Sequence, residues 1–187
     1  MALTTDQELA QHAQLGETEA YGELVRRYQG SVFNVCYRLL GERGEAEDQT
    51  QEAFIRAYQR LESYDSRRPF GPWIRRVATN LCLNHLQVRQ PVEFPLEEER
   101  DVDASGVLPN PEIAYAQREK AENIRAALLS LPSHYRAVIE LRHFQDLSYQ
   151  EIAEHLQLPL SDVKSFLFRA RRILAARLKN DEIFRSS

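Results

Sequence analysis

The chain has 187 residues, 43% of them hydrophobic and 28% charged, with a formal net charge of −4. That is length for one large or two small folded domains with a real core, and it excludes a disordered or fibrous chain. Few glycines, few prolines and almost no β-branched runs argue against a fold dominated by strands.

In chain order, Thr5 with Glu8 three residues on forms a capping box that opens a first helix. Further helices are predicted over 17–28, 31–40, 45–61 and 71–89, with Gly16, Gly41 and Gly44 at the joins and a polar turn over 63–69. Residues 91–111, PVEFPLEEERDVDASGVLPNP, hold four of the eight prolines and no helical or strand period, and read as a linker. Beyond it, helices are predicted over 111–130, 133–145, 148–157 and 161–179. The expected architecture is all-α: two small helical domains, 1–90 and 112–187, joined by an acidic linker over 91–111.

Charge follows this division. Residues 1–90 carry 12 acidic and 11 basic side chains, 91–112 carry 7 and 1, and 113–187 carry 9 and 12. The acidity is concentrated in the linker, which leaves a near-neutral first domain and a basic second one. This distribution, rather than the total, decides whether nucleic acid can be a partner.

Two cysteines, Cys36 and Cys82, lie in apolar helical stretches, and the five histidines show no ligand spacing. No metal or other cofactor is expected. The amino-terminal MALTTDQELA lacks the basic-then-apolar plan of a secretory signal, and no apolar run approaches the roughly 20 residues that cross a bilayer. A cytoplasmic protein with no membrane insertion is expected.

In the helix over 45–61 the inward stripe is Ala46, Thr50, Ala53, Phe54, Ala57 and Leu61. The opposite face carries Asp48, Gln51, Glu52 and Gln59, with Ile55 among them. An exposed isoleucine in an acidic, amide-rich face fits a protein-binding surface, and equally a solvated face with one stray apolar residue. In the helix over 71–89 the core stripe is Ile74, Val77, Ala78, Leu81 and His85. On one flank Trp73, Arg76, Asn80, Asn84 and Gln87 recur at spacings of 3, 4, 4 and 3. An aromatic ring, a guanidinium and amides in a row suit single-stranded nucleic acid, where bases stack and amides address their edges. Core packing is the other reading of Trp73.

Residues 147–178 carry the most specific pattern. Ser148 with Glu151 caps a short helix whose apolar face is Ile152, Ala153 and Leu156, 158–160 turn, and Ser161 can cap a second helix. Val163, Leu167, Ala170, Leu174 and Leu178 form its buried stripe, while Lys164, Ser165, Phe168, Arg169, Arg171 and Arg172 point away. A lone basic helix would read as a solvated face. The capped helix and tight turn before it make this a helix-turn-helix, whose second helix enters the major groove of duplex DNA.

Taken together, AYGELVRRYQGSVFNVCYRLLG, AEDQTQEAFIRAYQRLESYD, WIRRVATNLCLNHL, LPSHYRAVIELRHFQDLSYQEIAEHL and VKSFLFRARRIL resemble, in family order, the extracytoplasmic-function sigma factors of bacterial RNA polymerase. The resemblance implies a non-catalytic specificity subunit with core polymerase and promoter DNA as partners. Asp48, Gln51, Glu52, Ile55 and Gln59 would meet the clamp helices of the polymerase's largest subunit. Asn80, with the turn from Tyr64 and Asp65 to Phe70, would hold a flipped base of the melted −10 element, and Trp73, Arg76, Asn84 and Gln87 would support the strand. The second domain would contact the flap of the second-largest subunit. It would read the −35 element as duplex through Ser161, Lys164, Ser165, Phe168, Arg169, Arg171 and Arg172. The linker would pass near the RNA exit path, and an anti-sigma factor is implied as a further partner.

The sequence departs from the family in several places. Asn84 stands where an acidic residue is usual, and Gln87 and Val88 where basic ones are. Gln157 replaces glycine, Ser161-Asp162 replaces Gly-Thr, and Phe166 replaces the arginine of VKSRL. On the helical wheel Phe166 lies beside Ile173 at the edge of the buried stripe, which predicts that it packs. A one-component helix-turn-helix transcriptional regulator is the alternative. It would need a ligand pocket or dimerisation helix in the first half and leaves the linker and the Trp73 row unexplained. No Gly-rich phosphate loop, nucleophile–base pair or metal cluster points to an enzyme.

Overall fold

Tyr21, Leu24, Tyr28, Val32, Val35 and Leu39 recur at helical spacing without a break, and this stripe decides the longest element. In the computed structural model, which describes residues 5–89 and 112–178, Thr18–Leu40 is one continuous helix. The sequence predicts two helices, over 17–28 and 31–40, and the observed helix runs through Gly30 between them. An interior glycine costs about 1 kcal/mol, less than the burial gained by keeping Leu24 and Val32 on one face.

The chain divides into two compact units, Met1–Arg89 and Gln90–Ser187. The first contains α1 (Asp6–Gln14), α2 (Thr18–Leu40), α3 (Arg43–Gln59), a 3-10 turn (Leu61–Ser63) and α4 (Phe70–Arg89). Thr5 and Glu8 make the predicted reciprocal capping box on α1. Gly41 ends α2 at φ +83°, a left-handed conformation that glycine adopts without strain. Glu42 caps α3, accepting hydrogen bonds from the amides of Gly44 and Glu45 at 2.9 and 2.6 Å. That cap moves the helix start two residues ahead of the predicted one. Ala46, Ala53 and Ala57 present no bulk to the interior, so Leu24, Val35, Cys36 and Leu39 of α2 and Ile74 and Cys82 of α4 are fully buried against them.

The second unit contains α5 (Glu112–Leu129), α6 (Ser133–Ile139), α7 (Tyr149–Leu156) and α8 (Leu160–Arg177). Its core comprises Leu128, Leu131, Ile139, Leu141, Ile152, Val163, Leu167 and Leu174, among others. The helix expected over 133–145 is α only as far as Ile139; Glu140–Phe144 is a π segment. Residues 137–141 are all buried, which no single face of a regular helix allows. The wider turn accommodates them, and the Leu147 amide reaches the Leu141 carbonyl at 3.0 Å. The described residues contain helices and no strand, and none of the helices is long and apolar enough to cross a membrane. The expected linker over 91–111 lies outside the described residues.

Candidate nucleic-acid interfaces

In the first unit the 3-10 turn and the start of α4 meet over a cluster of rings. Phe70 packs on Tyr28 and Trp73, each with centroids 5.4 Å away, and Trp73 packs on Tyr64 at 4.5 Å. Gly71 makes this possible, because a Cβ there would sit 2.6 Å from Cε1 of Tyr28. The Tyr64 hydroxyl donates to the Arg68 carbonyl and the Tyr28 hydroxyl to the Asp6 carboxylate. Burial pushes both phenols up to about 12, and for Tyr28 the Asp6 contact adds to it.

Above the rings lies an open cleft of about 410 Å³, lined by Ser63, Tyr64, Asp65 and Arg68 from the turn and Trp73 and Arg76 from α4. Asp65 is held well below the usual carboxylate range by hydrogen bonds from the Arg67 side chain and amide. Arg76 borders the cleft, while its Nε is buried without a hydrogen-bond partner.

Placement separates the predicted residues into two sets. Asn80 and Asn84 are exposed on the flank of α4, in line with half-buried Trp73 and Arg76. Tyr64 and Phe70 are only 6% and 1% exposed. Phe70 can therefore shape the cleft but not stack on a base, a correction to the expected direct contact, and Tyr64 offers only an edge. Gln87 falls outside the residues whose side chains are described. Ser63 lies outside the base-holding turn expected from Tyr64 to Phe70, and Arg68 inside it without being singled out, since nothing local marks a turn residue as a cleft wall.

The outward face of α3 carries exposed Asp48, Gln51, Ile55 and Gln59 and half-buried Glu52, which pairs with Arg56 at 2.6 Å. Ile55 is 52% exposed, and Tyr58 beside it is 43% exposed while its ring leans on Tyr21 at 4.9 Å. Tyr58 extends the apolar patch. Its periodicity alone did not single it out.

In the second unit Ser148 and Glu151 form the predicted capping box on α7. Gln157 ends that helix at φ +55°, the left-handed geometry that explains a glycine preference at this turn. Helix α8 starts one residue earlier than predicted. Pro159, not Ser161, is the cap position; its carbonyl accepts from Asp162 and Val163 at 3.0 and 3.2 Å. Ser161 lies inside the first turn and its hydroxyl donates to Asp162 at 3.2 Å. Val163, Leu167, Ala170 and Leu174 are buried as the stripe requires.

Lys164, Phe168, Arg169 and Arg172 are exposed and Ser165 is half-buried; Phe168 is 67% exposed. Arg169 contacts the Tyr135 hydroxyl at 3.5 Å. Arg171 behaves differently from its predicted outward direction. It donates to His143 Nε2 at 3.4 Å and to the Tyr149 hydroxyl at 3.3 Å, so it joins α8 to the π segment and α7. Burial, and then the Arg171 charge, pull the His143 pKa down. Phe166 packs as predicted, against His134 and Tyr135 at 4.9 and 5.4 Å.

The Sigma-70 region 2 family model matches residues 24–91, and the Sigma-70 region 4 model matches residues 121–174. The chain is 37% identical over 175 residues to the ECF RNA polymerase sigma factor SigW of Bacillus subtilis (strain 168), spanning 88% of this chain and 92% of that one. It is 35% identical over 177 residues to the ECF RNA polymerase sigma-E factor of Escherichia coli (strain K12), spanning 91% and 92%. Among solved structures, that of CnrH in complex with the cytosolic domain of CnrY superimposes with a TM-score of 0.61 at 26% identity, covering 95% of this chain and 99% of that one. The sigma factor RpoE in complex with the anti-sigma factor NepR from Bartonella quintana shares the fold, with a TM-score of 0.61 at 19% identity over 87% and 98%.

Proposed function

The chain belongs to the extracytoplasmic-function sigma factors of bacterial RNA polymerase, and we propose that its two units divide promoter recognition between an unpaired strand and a duplex. The observation that carries this reading is the α4 flank. A cleft walled by Trp73, Tyr64 and Arg76 continues into exposed Asn80 and Asn84. Such a surface takes up a splayed base and hydrogen-bonds its edge, which a base paired in duplex cannot offer.

In this reading the first unit melts and holds the −10 element. Asn80, Trp73 and Arg76 contact the strand, Asp65 and the edge of Tyr64 line the cleft, and Phe70 supports it from below. The α3 face of Asp48, Gln51, Glu52, Ile55 and Gln59, extended by Tyr58, docks on the clamp helices of the largest polymerase subunit. In the second unit α8 enters the major groove of the −35 element. Lys164 and Arg172 neutralise phosphates, Arg169 and Phe168 face bases, and Arg171 fixes the helix to its scaffold. The unit also meets the polymerase flap.

The protein acts in the cytoplasm as a specificity subunit without catalysis of its own. An anti-sigma factor can silence it by covering the exposed apolar residues Ile55 and Phe168.

Reconstitution tests the whole. Added to sigma-free core polymerase, the protein should start transcripts from a cognate promoter selected from randomised DNA. DNA binding with no transcripts would instead make it a simple helix-turn-helix regulator.

A further inference from the structure

The Sigma-70 region 2 match begins at residue 24, so α1 lies ahead of it, yet α1 is bonded to the cleft from both ends. Near its start, Asp6 pairs with Arg27 at 2.8 Å and accepts from the Tyr28 hydroxyl. Tyr28 packs on Phe70, and Phe70 on Trp73. At its carboxyl end, the Gln14 amide nitrogen donates to the Leu61 carbonyl at 2.8 Å and to the Tyr64 carbonyl at 2.7 Å. Gln7 donates to the Arg67 carbonyl at 3.3 Å.

We infer that Gln14 is a positioning residue for the −10 cleft. Its carboxamide clasps the carbonyls on either side of the 3-10 turn and so sets where the turn stands against Trp73 and Arg76. This rests on the reading that the cleft holds an unpaired base.

A carboxamide nitrogen carries two N–H donors, and both are spent here on the turn's backbone. The Leu61 carbonyl already accepts from the Tyr64 amide at 3.1 Å, so Gln14 supplies a second bond to one end of the turn and a first to the other. The turn's other backbone bonds are local, Ser63 to Arg60 and Tyr64 to Leu61, whereas Gln14 reaches it from another helix. Leu61–Ser63 is three residues long, and Tyr64 is buried only if the segment stays closed over the rings. The two ends of α1 therefore act on opposite walls: Asp6 through Tyr28 on the α4 wall, and Gln14 directly on the turn wall. Gln14 is half-buried behind the turn and does not line the cleft, so its effect is on how well a base is discriminated, not on whether DNA is held.

The test uses the full-length protein in holoenzyme, with open-complex formation measured by permanganate reactivity on promoters varied at each −10 position. Gln14→Met keeps the side chain's length and removes both donors. It should lower base discrimination at one −10 position about tenfold, while core pull-down and −35 duplex binding stay at wild-type levels. Gln14→Lys, which restores donors with sufficient reach, should recover at least part of the loss.

Asn80→Ala run in parallel separates the two levels of the argument. If Asn80→Ala leaves discrimination intact, the cleft reading itself is wrong. If Asn80→Ala abolishes it and Gln14→Met does not, the positioning role is wrong. A Gln14→Met protein that loses core binding and all promoters equally also overturns the role, because that is the signature of a general loss of fold.

Discussion

On the proposed reading, the two units solve recognition in opposite ways. The second presents a convex reader: one helix, α8, seated by Val163, Leu167, Ala170 and Leu174, with its reading groups on the far side of the same element. The first presents a concave one, whose walls come from a 3-10 turn and α4, with Trp73 backed by Phe70 and Phe70 by Tyr28 of α2. Duplex DNA offers a regular groove that a rigid helix fits as a body. An unpaired base has no such frame, so the protein has to build one from several segments. Damage should therefore spread differently. In the second unit it should be local to α8, while in the first it should also arrive from residues far from the DNA.

The largest expected effect tests whether the α3 face is independent of both readers. Asp48→Arg together with Ile55→Ala should weaken binding to core polymerase by at least about thirtyfold, the scale of a protein-interface hot spot. Helix content and −35 duplex binding should be unchanged. Undiminished pull-down of core enzyme would remove the docking role from this face.

Next comes the convex reader itself. Arg169→Ala should cost about 1–3 kcal/mol of promoter affinity, concentrated at one base of the −35 element. Lys164→Ala should cost less, be indifferent to sequence, and reduce the salt dependence by about one phosphate's worth. Equal losses on every −35 sequence from Arg169→Ala would reassign that guanidinium to a phosphate.

Acid separates the units by a different route. His134 and His143 both sit below their ordinary value near 6.5; burial is the main cause, and for His143 the charge of Arg171 adds to it. Below pH 6.5 the unfolded chain then binds more protons than the folded one, so stability is lost as pH falls through that range. In the first unit the depressed groups are carboxylates, Glu8, Glu23 and Asp65, bonded to Thr5, to Arg26 and Arg27, and to Arg67. Their contribution persists until the carboxylate range is reached. Amide exchange on the intact chain should show the second unit opening first on acidification, and His143→Gln should reduce that sensitivity. Simultaneous opening of both units would count against the assignment.

What could be read in the sequence follows the same divide. The helix-turn-helix is local: a capping box at Ser148 and Glu151 and a stripe within α8 specify it, and the structure has both. Ile55 stood out because α3 obeys one period along its length. The cleft is not local. Tyr64 in the polar turn and Phe70 at its end read as recognition aromatics, yet Phe70 opens α4 and is buried against Tyr28, far away in sequence. Gln14, the turn's clasp, is an unremarked amide until Leu61 and Tyr64 are placed beside it. Arg171 looked free because a wheel cannot show that His143 and Tyr149 reach it from other elements.

Gly30 gives the smallest effect and the finest test of how the first unit is assembled. Read alone it breaks a helix; in the folded chain it is exposed within α2, and an added Cβ would meet nothing within 4 Å. Its φ is not among the positive values, which among glycines occur at Gly16 and Gly41, so alanine fits the same backbone. If the stripe from Tyr21 to Leu39 already enforces a continuous helix, Gly30→Ala only removes freedom from the unfolded chain. The first unit should then gain about 0.5–1 kcal/mol, read as a higher denaturation midpoint, with promoter discrimination unchanged. A loss of stability, or altered −10 melting, would mean that α2 needs to bend at Gly30 and that two helices describe its behaviour better than one.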